Sequence, residues 1–198
     1  MSTKKGPKYN QIIDAAVRVI AHNGYHQAQV SKIAKEAGVA DGTIYLYFKN
    51  KEDILISLFE VKMGDFIEQI RARLTEASTI EEQLKLLVKM HLKQLAANKE
   101  LAVVTQLELR QSNYELRQKI NEVLRDYLSV MENLLTRGKE QHVFSPELNE
   151  KLARQMIFGT LDEVATNWVM KDCKYDLEAL AGPVYDMLLD GFGARVNA

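Results

Sequence analysis

The chain has 198 residues, 46% of them apolar and 27% charged, which suffices for one ample core or for a small domain beside a larger one. No run of about 18 apolar residues could span a bilayer and no secretory apolar segment follows Met1, so the expectation is a soluble, cytoplasmic protein with no membrane partner. A single cysteine, Cys173, and four scattered histidines exclude an internal disulfide framework and give no metal-ligand spacing, so neither a metal nor a cofactor is expected. The net charge is −1, yet Met1 to Lys51 carries eight Lys/Arg (Lys4, Lys5, Lys8, Arg18, Lys32, Lys35, Lys49, Lys51) against Asp14, Glu36 and Asp41. The first quarter is therefore electropositive within a weakly acidic chain.

No useful stretch keeps the period-2 alternation of a strand, and the pattern predicts an all-α protein of about nine helices. A first helix runs from about Lys8 to His22, with Ile12, Ile13, Ala16, Val17 and Ile20 on one stripe, and Asn23-Gly24 stops it. A second is short, Val30 to Ala37. Asn50 and Asp53 cap a long helix carrying Leu55, Leu58, Phe59, Phe66, Ile67, Ile70 and Leu74. Ser78 with Glu81 forms a capping box for the next, whose inner face holds Leu84, Leu87, Val88, His91 and Leu95. Further helices span about Glu100 to Leu109 and Tyr114 to Gln141. Ser145-Pro146 signals the start of a helix reaching Met170, and Gly182-Pro183 predicts a break within Leu177 to Phe192.

Val30 to Tyr47, "VSKIAKEAGVADGTIYLY", has the spacing of a helix-turn-helix. Ala34 is small enough for two helices to cross closely, Gly38 suits a φ > 0 turn, and Val39 is an apolar plug. Ile44 and Phe48, one turn apart, anchor a short second helix and leave Asp41, Gly42, Thr43, Tyr45 and Tyr47 outward to read a major groove. Gln29, Lys32, Lys51 and the basic arm around Lys8 flank it as phosphate contacts, Lys51 standing where a helix N-terminus already favours anions. An ordinary helical hairpin with a glycine turn would share some of these features. The coincidence of spacing, cationic first quarter and long following helix favours DNA.

Gly24 followed by "VSKIAKEAGVADGTIYLYFKNKEDIL" resembles the N-terminal signature of TetR-type transcriptional repressors, strongly over residues 8 to 55; the later helices match in number and order. Two departures are Ala28-Gln29 and Ala40, where the family commonly has hydroxyl residues; Ala40 lacks a capping side chain worth about 1 kcal/mol in general. The resemblance implies a three-helix DNA reader (residues 1–52), joined by the long helix to a ligand-binding and dimerisation domain (53–198). It implies a homodimer on a palindromic operator of double-stranded DNA. Dimer contacts are expected from Gly159, Ala165, Val169, Val184, Met187 and Leu188.

His91, Leu95, Val104, Leu107, Phe158, Leu161 and Trp168 fall on inward helix faces and are the expected lining of an effector cavity, though a filled core would use the same residues. Arg110 and Arg117 bracket the Gln111-Ser112-Asn113 turn, where two cationic forks could hold an anion or stand solvated. "LELRQS", "ELRQKI" and "LARQMIFGTLDE" resemble the FadR-type, fatty-acid-degradation branch of the TetR family in Gram-positive bacteria. That likeness implies release from DNA by long-chain acyl-CoA, its tail in the cavity and its phosphates on Arg110 and Arg117. The rival is a TetR-type repressor of cationic drugs or another hydrophobic ligand, for which Glu108, Asp162 and Glu163 are available. An enzyme is not expected, since neither Cys173 nor His91 has a partner visible in sequence. An architectural DNA binder would be basic throughout, which this chain is not.

Overall fold

In the computed structural model, residues 6–193 are described; Lys4 and Lys5 of the expected basic arm lie outside them. Among the described residues there are nine α-helices and no strand. They are α1 (Pro7–Gln27), α2 (Val30–Glu36), α3 (Asp41–Ile44), α4 (Lys51–Leu74), α5 (Ile80–Ala97), α6 (Lys99–Glu108), α7 (Tyr114–Glu140), α8 (Glu150–Met170) and α9 (Ala181–Gly191), the last preceded by a 3-10 turn, Glu178–Leu180. Pro7 opens α1, where its missing N–H costs nothing. Gly24 interrupts α1 as expected (φ 72°, ψ 155°), but one further turn, through Gln27, follows it. Asn50 Oδ1 caps α4 by accepting from Asp53 N at 2.8 Å, and the Asp53 carboxylate accepts from Lys49 N at 2.8 Å.

The described residues divide into two compact units by packing. The first comprises residues 6–64 with Glu100–Val123, the second Asp65–Lys99 with residues 124–193. The division expected at residue 52 does not coincide with this one, because residues 53–64, α6 and the start of α7 supply the first unit's core. That core joins Ile12, Ile13, Ala16 and Ile20 of α1 to Ile33 and Ala34 of α2, Ile44, Phe48, and Ile54, Leu55, Leu58 and Phe59 of α4. Leu101 and Val104 of α6 and Leu116 and Ile120 of α7 complete it. Side chains of this size each contribute about 2 kcal/mol on full burial. Three polar ties lock α1 in place. Gln11 Nε2 donates to Ala37 O at 2.7 Å, Arg18 pairs with Glu36, and Lys62 pairs with Asp14 at 2.6 Å.

In the second unit α5 packs against α8, α9 and the 3-10 turn. Its capping box is Thr79 with Glu82, one residue beyond Ser78 with Glu81; the sequence contains both registers. Glu82 decides between them by accepting from both Ser78 N (2.8 Å) and Thr79 N (3.2 Å). Ser145-Pro146 does not start α8. It forms a turn closed by Leu148 N to Ser145 O at 3.0 Å, and Asn149 caps α8 by accepting from Leu152 N. The break expected at Gly182-Pro183 falls slightly earlier, where the 3-10 turn Glu178–Leu180 gives way to α9 at Ala181. Pro183 lies in the first turn of α9, where no amide is owed to the ladder.

Gly138, in α7, lies against the Phe144 ring, which itself packs edge-on to Phe192 at 5.5 Å between centroids. A Cβ there would overlap Phe144 and approach Ile80 Cγ2 to 3.1 Å. Gly138→Ala is therefore expected to destabilise the protein by about 2 kcal/mol despite alanine's better helix propensity. A denaturant midpoint equal to or above wild type would contradict this.

Candidate functional site

The reader hairpin follows from three local bonds. Ala37 N donates to Ile33 O (2.8 Å), Gly38 N to Lys35 O (3.1 Å) and Val39 N to Ala34 O (3.0 Å), with Gly38 at φ 64°. A Cβ on Gly38 would meet nothing within 4 Å, so the glycine is required for its left-handed backbone and not for space. Ala34 is fully buried at the crossing, and Ile44 and Phe48 face the core. α3 is a single turn with no side-chain cap from Ala40, as the missing hydroxyl implied.

Of the expected DNA contacts, Lys8, Gln29, Lys32, Asp41, Gly42 and Tyr45 are exposed and Thr43 is half-buried. The Lys32 ammonium donates to Asn23 Oδ1 at 3.2 Å. Tyr47 does not stand free of the core. It is half-buried, tilted against Tyr9 at 6.4 Å, while Tyr9 stacks on Phe48 at 4.9 Å. Leu46, which was not among the expected DNA contacts, is 78% exposed beside Tyr45. The signal for it was an apolar residue out of phase with Ile44 and Phe48.

Lys51 departs further from expectation. It is half-buried, and its ammonium donates to Tyr25 O (3.0 Å) and His26 O (3.1 Å) while lying 4.6 Å from the Tyr25 ring centre. Two of its three protons are thus committed to carbonyls, and they supply donors to the C=O groups at the end of α1. Tyr25 is held from its other side. Its N–H donates to Glu108 Oε1 at 2.8 Å, Glu108 Oε2 accepts from Gln111 Nε2 at 2.6 Å, and an Arg117 nitrogen donates to Gln111 O at 3.1 Å. Burial first, then the charges of Glu52 and Glu108, push the Tyr25 phenol up to about 12. The end of α1 is clamped between α4 and the α6–α7 junction.

The residues of the expected effector lining are shared between the two units. Val104 belongs to the first unit's core and Leu107 is 48% exposed. Arg110 is exposed, and Arg117 is half-buried with its guanidinium 5.7 Å from the Tyr114 ring centre. The apolar spacing of α6 identified an inward face but not the core that receives it. In the second unit, Leu95, Leu161 and Trp168 are buried and Phe158 is half-buried. Trp168 Nε1 donates to Tyr175 O at 2.8 Å. His91 lies there against two aromatic rings, stacked on Tyr127 at 5.7 Å and edge-on to Phe66 at 6.1 Å. Its Nδ1 is 2.7 Å from Tyr127 Oη, and its Nε2 is sealed from solvent with no partner. Desolvation lowers the imidazole pKa to about 4, so the ring is neutral at neutral pH.

A glycine-turned helical hairpin, an exposed polar face on its second element and a cationic surround define a helix-turn-helix transcription regulator. Residues 12–58 match the family of bacterial regulatory proteins of the tetR type, and residues 59–191 match the C-terminal region of YsiA-like proteins. The chain belongs to the TetR family of transcription regulators. It is 61% identical to the fatty acid metabolism regulator protein of Bacillus subtilis (strain 168) over 188 residues, 95% of this chain and 97% of that one. Two solved structures superpose with a TM-score of 0.91, each covering 92% of this chain and 98% of the other. One, 69% identical, is the fatty acid degradation regulator FadR from Bacillus halodurans. The other, 61% identical, is FadR from Bacillus subtilis in complex with stearoyl-CoA. These relatives are regulators and not enzymes. No helix among the described residues is long and apolar enough to cross a membrane.

Proposed function

We propose that this chain is a repressor of fatty acid degradation genes that binds a palindromic operator as a homodimer and leaves it when long-chain acyl-CoA binds. The observation that carries this is identity of 61% and 69%, over nearly the whole chain, with two fatty acid regulators, one of which holds stearoyl-CoA. DNA is read by Thr43, Tyr45 and Leu46, with Lys8, Gln29 and Lys32 on phosphates. A leucine at the groove suits a thymine methyl. The cationic-drug alternative is weakened because both Glu108 oxygens already have donors. Release follows from linkage, since a ligand that prefers the form with misplaced reader helices weakens DNA binding by a coupling of roughly 1–3 kcal/mol. Gel-shift titrations with palmitoyl-CoA, octanoyl-CoA, CoA and a cationic dye test it, and palmitoyl-CoA is expected to release the operator at the lowest concentration. Release by the dye alone would sink the reading. Arg117, with one nitrogen on Gln111 O and its guanidinium beside the Tyr114 ring, serves the α6–α7 junction, so the effector's phosphates are not assigned to Arg110 and Arg117.

For the dimer, Ala165, Val169, Val184 and Leu188 are buried within the protomer's own core and are not available as contacts. The exposed apolar stripe is Leu152, Met156 and Gly159 on α8, at helical spacing, with Met187 on α9 at 70% exposure. Met156 Cε lies 3.5 Å from where a Cβ on Gly191 would stand, so the α8 and α9 faces adjoin. An exposed stripe of this kind suits an isologous interface with a second copy. Leu152→Asp with Met187→Asp is expected to give a folded monomer in sedimentation at micromolar concentration. A persistent dimer would place the interface elsewhere.

A further inference from the structure

A cleft of about 510 Å³ opens in the second unit between the end of α4, the α4–α5 turn and the middle of α7. Its apolar floor is Leu74, Val130 and Leu134; its polar groups are Arg71, Thr75, Ser78, Gln83, Asn133 and Arg137. The volume lies within the range of about 300–1,000 Å³ common to small-molecule sites. Arg73, nearby on α4, is neutralised by Glu76 at 3.2 Å. Neither Arg71 nor Arg137 has an ion-pair partner among the described residues. Each stands in the last turn of its helix, where the helix dipole alone would accommodate a cation. The dipoles do not account for Gln83. It is 6% exposed, its Nε2 reaches only Ala77 O at 3.4 Å, and its Oε1 is buried with no donor. A buried carbonyl oxygen left unpaired is destabilising, and a donor from a bound molecule would relieve it.

From this geometry we infer that the cleft seats the phosphate-bearing end of the effector, with an N–H of the ligand donating to Gln83 Oε1 and phosphate oxygens accepting from Arg71 and Arg137. The required chemistry is an anion that also carries an amide or hydroxyl donor, next to an apolar surface. A CoA thioester has all three, with its phosphates, the amide N–H groups of its pantetheine arm and the start of its tail. The inference rests on the acyl-CoA reading above and adds to it the residues that hold the headgroup.

The test compares palmitoyl-CoA with S-palmitoyl-N-acetylcysteamine, a thioester that keeps an amide N–H and has no phosphate. Both are titrated into the full-length protein, with binding followed by calorimetry and operator release by gel shift. The double variant Arg71→Ala, Arg137→Ala is expected to raise the palmitoyl-CoA needed for half-release by about thirtyfold or more, since each lost charged hydrogen bond is large on this scale. Its response to the phosphate-free thioester should match wild type. Arg71→Lys with Arg137→Lys should recover part of the loss, and Gln83→Leu should weaken both thioesters about fivefold. Both arginines are exposed, so the variants should fold, and equal melting temperatures would verify it. If wild type responds to palmitoyl-CoA and the double alanine variant responds equally, the headgroup seat is refuted while the acyl-CoA reading stands. If wild type responds to neither thioester, the acyl-CoA reading itself falls and takes this inference with it.

Discussion

Replacing Glu108 by Ala is expected to lower operator affinity about tenfold and to leave the slope of affinity against salt unchanged. Glu108 is remote in sequence from the reader, yet its carboxylate is the acceptor for the Tyr25 amide. Loss of a charged acceptor from a half-buried N–H costs about 2 kcal/mol. In a protein of this size that is about 4–8 °C of melting temperature. The effect reaches DNA because Tyr25 supports Lys51 through its carbonyl and its ring, and the chain runs from Tyr25 directly to Gln29 and α2. Glu108→Gln should fall between, since one amide oxygen can still accept from Tyr25 while the amide nitrogen faces the Gln111 side chain. Lys51→Ala is expected to behave in the same manner, with a change in salt slope well below the unit of about 0.9 that a phosphate contact would give. Anisotropy titrations from low to high salt separate the two roles. A lower melting temperature with wild-type operator affinity would reduce the clamp to a structural tie.

How far the sequence could be read depended on the distance over which each feature is encoded. The hairpin was legible because Ala34, Gly38, Ile44 and Phe48 lie within fifteen positions, and each is demanded by local sterics. The Glu108 clamp was not, since its partner is 83 residues away and a backbone amide has no sequence signature. Lys51 stands at the helix terminus expected of it, and its bonds within the chain were not legible for the same reason, the acceptors being backbone carbonyls of Tyr25 and His26. Helix starts were misread where two capping signals competed, at Ser78 against Thr79 and at Ser145 against Asn149. Val104 shows a different limit, for hydrophobic periodicity assigns a residue to an inner face without saying which core that face meets. The Arg71–Gln83–Arg137 cleft had no sequence signal, because it is built across three elements by groups that are individually ordinary.

The stability of the second unit is expected to fall as pH drops from about 6.5 towards 4, and His91 is the group that imposes this. Burial among Phe66 and Tyr127, neither of which supplies a compensating negative charge, depresses its folded pKa to about 4 from 6.5. Within that window the unfolded chain binds a proton that the folded protein refuses, so stability rises with pH there. The contribution is complete above about pH 6.5 and is lost progressively below it. A shift of this size corresponds to about 3 kcal/mol at the acid end. His91→Gln removes the titration and retains a group able to bond Tyr127 Oη. Its urea-unfolding free energy should be lower than wild type at pH 8, because an isostere of imperfect shape replaces a packed ring, and the two curves should converge as pH approaches 5. Unfolding followed at pH 5, 6, 7 and 8 gives the difference in slope directly, approaching one proton between wild type and variant near pH 5. Parallel curves over that range would mean that the folded protein admits the proton, and that His91 is not sealed as its stacking against Tyr127 implies.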